Sequence, residues 1–249
     1  MLDNQYFYAF PEDIITPKDE LYLRDAEARH CTKVLRKKTG DQFFVIDGLG
    51  HEFQVELLRE DHAGVSCKIL IQRSSPNELP FDMTLAQALI KNDHFDFVVE
   101  KTTELGVKRI LPIQTERSLV APRQNRNDRW QKIALSSMKQ SRRSVLPVIE
   151  APVPFSQLLK RVSAYDRRII FHESADVSFQ AYHQNLTHRP PQSTLVVIGP
   201  EGGFTDSEIA AARDVRLDVV SLGRRRLRSE TAAVCAVSMF STLESPPLL

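Results

Sequence analysis

The stretch 194-TLVVIGPEGGFTDSEI-209, followed by 219-VVSLGRRRLRSETA-232, decides the reading of this chain. An apolar run from Thr194 to Ile198 has the composition of a buried strand in a parallel sheet. It stops in Gly199-Pro200-Glu201-Gly202-Gly203, where backbone can approach a ligand without side chains in the way. Thr205-Asp206-Ser207-Glu208 has capping-box spacing, with Thr205 at the N-cap and Glu208 reaching back from N3. A second strand, Val219 to Leu222, ends in Gly223 and an arginine-rich loop, and Ser229 is the expected N-cap of the next helix. Four of the nine glycines fall in this stretch. Two adjacent strand–loop–helix units make a ligand site beyond the carboxyl ends of their strands.

The chemistry of that site is narrowed by what the loops lack. No Lys-Ser or Lys-Thr follows the glycines, so the phosphate-binding Walker pattern is missing, and the dinucleotide fingerprint GxGxxG is absent. Glu201 inside the first loop would repel a phosphate. A cofactor without phosphate, carrying a cation and an adenosine, fits better. A Gly-Gly pair alone would be explained by a tight turn, but a second glycine loop 20 residues on favours a ligand. His172-Glu173, after a strand at Arg168–Phe171, joins the site by position. No nucleophile-elbow or Ser–His–Asp pattern supports hydrolysis. The small residues Ala232, Ala233, Cys235 and Ala236 permit close packing, against the core or against a partner subunit.

Outward from this stretch, residues 74–249 read as an α/β domain with a mainly parallel sheet, since strands and helices alternate from residue 80. Strands are expected at Met83–Ile90 and Val107–Ile113. Between them, Asn92 or Asp93 would cap a helix bearing Phe95, Val98, Val99, Thr102 and Leu105, with Gly106 at its end. Asp128 would cap a further helix with Trp130, Ile133, Ala134 and Met138 inward. Residues 1–73 read as a small β-rich domain, a barrel or sandwich of hairpins. Its strands are Phe43–Ile46, Phe53–Leu57 and Val65–Ile71, the last alternating at period two. Ser74 to Pro80 has the composition of a linker. Ala26 to Arg36 could form one helix, with Ala28, Cys31, Val34 and Leu35 on one face and His30, Lys33 and Arg36 on another. That basic face is either solvated or in contact with RNA.

The net charge of +1 says nothing about partners, but its distribution does. Arg117 to Arg143 holds eight bases (Arg117, Arg123, Arg126, Arg129, Lys132, Lys139, Arg142, Arg143) against one acid, Asp128, and Arg224, Arg225, Arg226 and Arg228 form a second cluster. Arginine forks suit phosphates, so two clusters beside a glycine-lined cleft favour nucleic acid over a merely solvated surface. Three scattered cysteines show no disulfide or zinc spacing and suit a reducing cytoplasm. No metal is expected. No apolar leader and no run of membrane-spanning length is seen, so no secretory signal or membrane association is expected.

Five segments, GPEGGFTDSE, LGRRRLRSETA, EKTTELGV, HCTKVLR and QSRRSVLP, in this order-specific arrangement resemble the RsmE family of 16S rRNA uridine-N3 methyltransferases, of the SPOUT class. The resemblance spans nearly the whole chain. It implies a PUA-like β-barrel over residues 1–73 that helps hold RNA, and a SPOUT-type α/β domain with a C-terminal trefoil knot. It also implies S-adenosylmethionine as cofactor, a homodimer, and 16S rRNA in the small ribosomal subunit as partner. Carried onto this sequence, cofactor contact falls on Ile198, Gly199, Pro200, Glu201, Gly202, Leu222, Gly223, Leu227, Arg228 and Thr231, with His172 and Glu173 added by position. RNA contact is expected from His30, Lys33, Arg36, Arg117, Arg123, Arg142, Arg143 and Arg224. For catalysis, Arg228 would stabilise the deprotonated uridine, and Glu201 or a water would take the proton. The sequence departs from the family at Arg224, where proline is usual, and at Ser229, where threonine is usual. The serine keeps the hydroxyl, and Arg224 makes the loop more basic and less rigid. Activity on another rRNA or tRNA position or on a ribose hydroxyl, and a non-catalytic RNA-binding assembly factor, are the alternatives.

Overall fold

A computed structural model of the chain describes residues 5–15, 18–119, 126–185 and 191–243. The chain forms two compact units. The first comprises Met1–Glu78 with Leu135–Leu146, and the second Leu79–Ala134 with Pro147–Leu249.

The first unit contains β1 (Tyr6–Tyr8), β2 (Ile14–Ile15), β3 (Glu20–Arg24), the short helix α1 (Asp25–Arg29), β4 (Gln42–Ile46), β5 (His51–Glu60) and β6 (Gly64–Ser74). These strands form one mixed sheet in the order β1-β4-β5-β6-β3-β2, parallel only between β1 and β4. Phe53, Val55 and Leu57 on β5 point inward at period two and meet Phe7, Leu21, Leu23, Phe43, Val45, Val65 and Cys67 in a single core. Two register shifts in the β5–β6 ladder bend the hairpin. The alternation expected on β6 holds for Val65 and Cys67 but not to its end. Beyond Lys68 the strand runs past its pairing with β3, and Ile71 is 45% exposed.

The helix expected over Ala26–Arg36 is corrected. It is α1 followed by a π-helical turn, His30–Val34, and the wider turn shifts the helical face. Ala28 and Cys31 stay in the core, whereas Val34 swings out to 65% exposure. The expected linker is structured too. Glu78, itself buried, accepts the backbone N–H groups of Ser144 and Val145 at 3.0 Å each and the Arg143 guanidinium at 2.6 Å. With the Lys139–Glu27 ion pair and the backbone bonds of Gly48 and Gly50 to Leu146 and Ser144, this anchor holds Leu135–Leu146 in the first unit, a division that differs from a cut at residue 73.

The second unit contains β7 (Asp82–Ala88), α2 (Asn92–Glu104), β8 (Arg109–Gln114), α3 (Asn127–Gln140, its residues from Leu135 counted with the first unit), β9 (Val148–Ile149), β10 (Val153–Pro154), α4 (Phe155–Leu159) and β11 (Arg167–Phe171). After these come β12 (Val177–Ser178), α5 (Phe179–Gln184), β13 (Ser193–Ile198), α6 (Asp206–Asp214), β14 (Asp218–Ser221) and α7 (Ser229–Leu243). The sheet is parallel throughout, in the order β10-β8-β7-β13-β11-β14-β12, with β9 pairing β8. Leu195, Val196, Val197 and Ile198 are all buried, as a strand covered on both faces requires. On one face Ala86, Leu111, Ile170, Leu195 and Val197 meet α4 and α6 through Phe155, Leu158, Ile209 and Ala212. α7 packs against α2, β7 and β13. Neither expected helix cap at Asn92 or Asp93 is realised. Lys91 holds the cap position of α2 without a side-chain bond, and α3 starts at Asn127 with Asp128 inside its first turn. The strand order sets β11 between β13 and β14, so the crossover from β13 to β14 spans it.

Candidate active site

Three adjacent parallel strands end at one level: Phe171 of β11 lies opposite Ile198 of β13 and Val220 of β14. The loops that follow them therefore leave the sheet side by side, at the edge where open parallel sheets bind ligands. They enclose a cavity of about 670 Å³, counting its open mouth. Phe171 at the end of β11 with His172 and Glu173, Ile198 at the end of β13 with Gly199 to Glu201, Gly203 and Phe204, and Ser221 at the end of β14 with Leu222, Gly223 and Arg225 to Leu227 form the lining. Ser229 and Ala232 of α7 complete the wall.

Each loop has a local reason for its course. A Cβ on Gly199 would stand 2.9 Å from the Phe204 ring, so the turn closes only around a glycine. Gly223 holds φ +109°, a conformation side chains disfavour, and its missing Cβ faces open space. The capping box at the start of α6 forms as its spacing predicts. Thr205 Oγ1 accepts the Glu208 N–H, and Glu208 accepts the Thr205 N–H at 2.9 Å. Ser229 does not cap its own helix. Its hydroxyl donates to the Gly199 carbonyl at 2.5 Å, while Arg228 stands at the cap position and accepts the Ala232 N–H at 2.8 Å. The serine thus ties the second loop to the third.

Of the residues expected to touch a cofactor, His172, Glu173, Ile198, Gly199, Pro200, Glu201, Leu222, Gly223 and Leu227 come together on this wall. Gly202, Arg228 and Thr231 lie outside it. Gly202 instead backs onto Arg117, which donates to its carbonyl at 3.0 Å. Arg228 is exposed between wall residues Leu227 and Ser229. Two arginines that the sequence did not single out for the cofactor, Arg225 and Arg226, are on the wall, and Arg226 faces Glu173 at 3.7 Å. Glu201 is exposed and accepts the Lys91 N–H at 3.5 Å. Phe204 and Ala232 could have been found from the loop and the small-residue run that contain them. Gln87, which donates to the wall residue Ser229 at 2.9 Å, is a polar residue inside the mainly apolar strand β7.

The residues expected to contact RNA meet different fates. Arg36, Arg142 and Arg224 are exposed, and Lys33 is exposed but paired with Glu60 at 3.2 Å. His30 is half-buried against Phe7. Arg117 is exposed while bracing the glycine loop, and Arg123 lies outside the described residues. Arg143 is a correction: only 2% of its side chain is exposed, because Glu78 and the surrounding core hold it inside. Among the described residues, no group of three His, Cys, Asp or Glu could hold a metal ion, and no helix is long and apolar enough to cross a membrane.

Fold and site together define a parallel α/β domain with a glycine-built, phosphate-free cofactor crevice, preceded by a small mixed β unit. Comparison with known proteins gives that class a family. Residues 77–241 match the RNA methyltransferase domain, and residues 23–70 match the RNA methyltransferase PUA domain. A Synechocystis protein named ribosomal RNA small subunit methyltransferase E is 35% identical over 94% of this chain and 76% of its own. Its namesake from Bacillus subtilis is 30% identical over 95% of both chains. A crystal structure of the Neisseria gonorrhoeae protein of that name, bound to S-adenosyl methionine, superimposes with a TM-score of 0.85 at 29% identity, covering 97% of this chain and 98% of that one. The chain belongs to the RNA methyltransferase family with an N-terminal PUA-like domain.

Proposed function

We propose that the protein methylates small-subunit ribosomal RNA at N3 of a uridine, using S-adenosylmethionine held in the crevice beyond β11, β13 and β14. The observation that carries this reading is the wall itself. Its open glycine backbone and its acids, Glu173 and Glu201, suit a cationic, phosphate-free nucleoside cofactor. Phe171, Ile198, Leu222 and Leu227 offer apolar surface for an adenine, and backbone groups of Gly199, Pro200 and Gly223 offer orienting hydrogen bonds. When bound, the cofactor supplies an electrophilic methyl group on sulfur.

The chain's own work is positioning and charge stabilisation. Uridine N3 must lose its proton before it can attack. Arg228, exposed between the wall residues Leu227 and Ser229, would stabilise the resulting anion, and Glu201, or a water, would accept the proton. Arg224, Arg36, Arg142, Lys33, His30 and the exposed side of Arg117 are the proposed RNA contacts, with the first unit helping to hold the RNA. The β13–β14 crossover spanning β11 supports the expected knotted path of the C-terminal segment. We take the working form to be a cytoplasmic homodimer without metal. Free cysteines at Cys31, Cys67 and Cys235 agree with a reducing compartment.

Two measurements test the reading. Calorimetry should show one S-adenosylmethionine per chain, and absence of binding would favour a non-catalytic RNA-binding role. Primer extension on 16S rRNA from cells with and without the gene should lose one strong stop, because an N3-methyl blocks the pairing edge. An unchanged pattern would redirect the activity to a ribose hydroxyl or another RNA.

A further inference from the structure

The crevice is held by a buried polar chain that starts outside it. Gln87, at the carboxyl end of β7 and in register with Ile198, is fully buried and does not line the cavity. Its Nε2 donates to Ser229 Oγ at 2.9 Å and to the Ala88 carbonyl at 3.0 Å. Ser229 Oγ in turn donates to the Gly199 carbonyl at 2.5 Å. The direction of this chain is forced. A carbonyl can only accept, so the single hydroxyl proton of Ser229 is used on Gly199, and its oxygen must accept from Gln87. Both partners of the Gln87 amide nitrogen are then acceptors, which fixes the orientation of the amide. Its Oε1 is buried and has no hydrogen-bond partner among the described residues, a cost that an apolar side chain of similar size would not carry. A glutamine at this place is therefore poor packing and good positioning.

We propose that Gln87 is a positioning residue for the methyl-transfer site: through Ser229 it turns the Gly199 carbonyl and so sets the second loop against the third. This rests on the reading that the crevice holds S-adenosylmethionine. The test compares Gln87→Met, Ser229→Ala, the double variant and Ser229→Thr in the full-length protein, by S-adenosylmethionine calorimetry and by hydrogen exchange without cofactor. Each single variant should weaken cofactor binding about tenfold, the effect of losing one buried bond. The double should be no weaker than the worse single, since both act through one bond. Ser229→Thr should restore most of the affinity lost in Ser229→Ala. Exchange should rise in residues 199–205 and 222–228 and not along β7. Multiplied effects in the double, unchanged affinity, no rescue by threonine, or exchange raised along the whole sheet would overturn the proposal. Should the wild-type protein bind no S-adenosylmethionine, the cofactor reading fails, and the exchange pattern still decides whether Gln87 sets the loops.

Discussion

Arg142 and Arg143 are neighbours with opposite employment. Arg142 is exposed, with its backbone in the left-handed region at φ +59°, and Arg143 is buried against Glu78. Arg143→Ala leaves a buried carboxylate without its charge partner, so urea unfolding should show a loss of about 3–5 kcal/mol. Arg142→Ala should leave the unfolding midpoint in place, weaken RNA binding, and lower the salt slope of that binding by about one. The reverse pattern would contradict the assignment. At the crevice, Arg228→Ala should lower kcat by roughly 100-fold or more with cofactor affinity kept, as for loss of a group that stabilises developing charge. Full methylation by this variant would remove Arg228 from the mechanism. The sequence could show that these arginines cluster but not which of them stay at the surface. The acid that takes Arg143 inside lies 65 residues earlier in the chain, and no local pattern marks it.

At the scale of elements, local signals were legible where they are satisfied locally. The capping box at Thr205 and Glu208 lies within four residues and formed as its spacing implied. Thr205→Ala should therefore cost about 1 kcal/mol in thermal or urea unfolding. Ser229 looked like the same kind of signal, yet its hydroxyl was taken by Gly199, 30 residues away. The expected helix through His30 failed for a related reason. Core demand for Ala28 and Cys31 is met by a π turn that the 3.6-residue period cannot reveal. The loop glycines were readable because their need is conformational. Gly223→Ala should strain the third loop by about 1–3 kcal/mol and weaken S-adenosylmethionine binding. Its effect on the circular dichroism spectrum should be small, and normal affinity would show that the loop tolerates a side chain.

Over the whole molecule, the parallel domain was readable because alternating strands and helices leave few architectures. The tie of residues 135–146 to the first unit was not, since it rests on partners far away in the chain: Glu78 takes the Ser144 and Val145 N–H groups, Glu27 meets Lys139, and the backbone of Gly48 and Gly50 bonds that of Leu146 and Ser144. That first unit also carries a pH signature. Burial pushes the Cys31 thiol from its ordinary value of 9.0 up to about 12, and burial raises Cys67 as well. A folded-state pKa above the unfolded value gives stability that is complete below pH 9 and declines as the pH rises from there toward 12. The urea midpoint should therefore be flat up to about pH 9 and fall above it, and both thiols should resist disulfide reagents until the protein unfolds. A midpoint that stays flat above pH 9 would show that these thiols ionise as freely in the folded state as in the unfolded one.

The proposed reaction makes one bond, from a methyl carbon to a ring nitrogen of uridine in small-subunit rRNA. Purified protein should be incubated with S-adenosylmethionine carrying an isotopically labelled methyl group and with small ribosomal subunits from cells lacking the gene, and the rRNA then digested to nucleosides for mass spectrometry. The expectation is label in 3-methyluridine, at about one per subunit, and an initial rate of labelling roughly 100-fold or more lower with Arg228→Ala. Label in a ribose-methylated nucleoside, in another base, or in no nucleoside at all would contradict it.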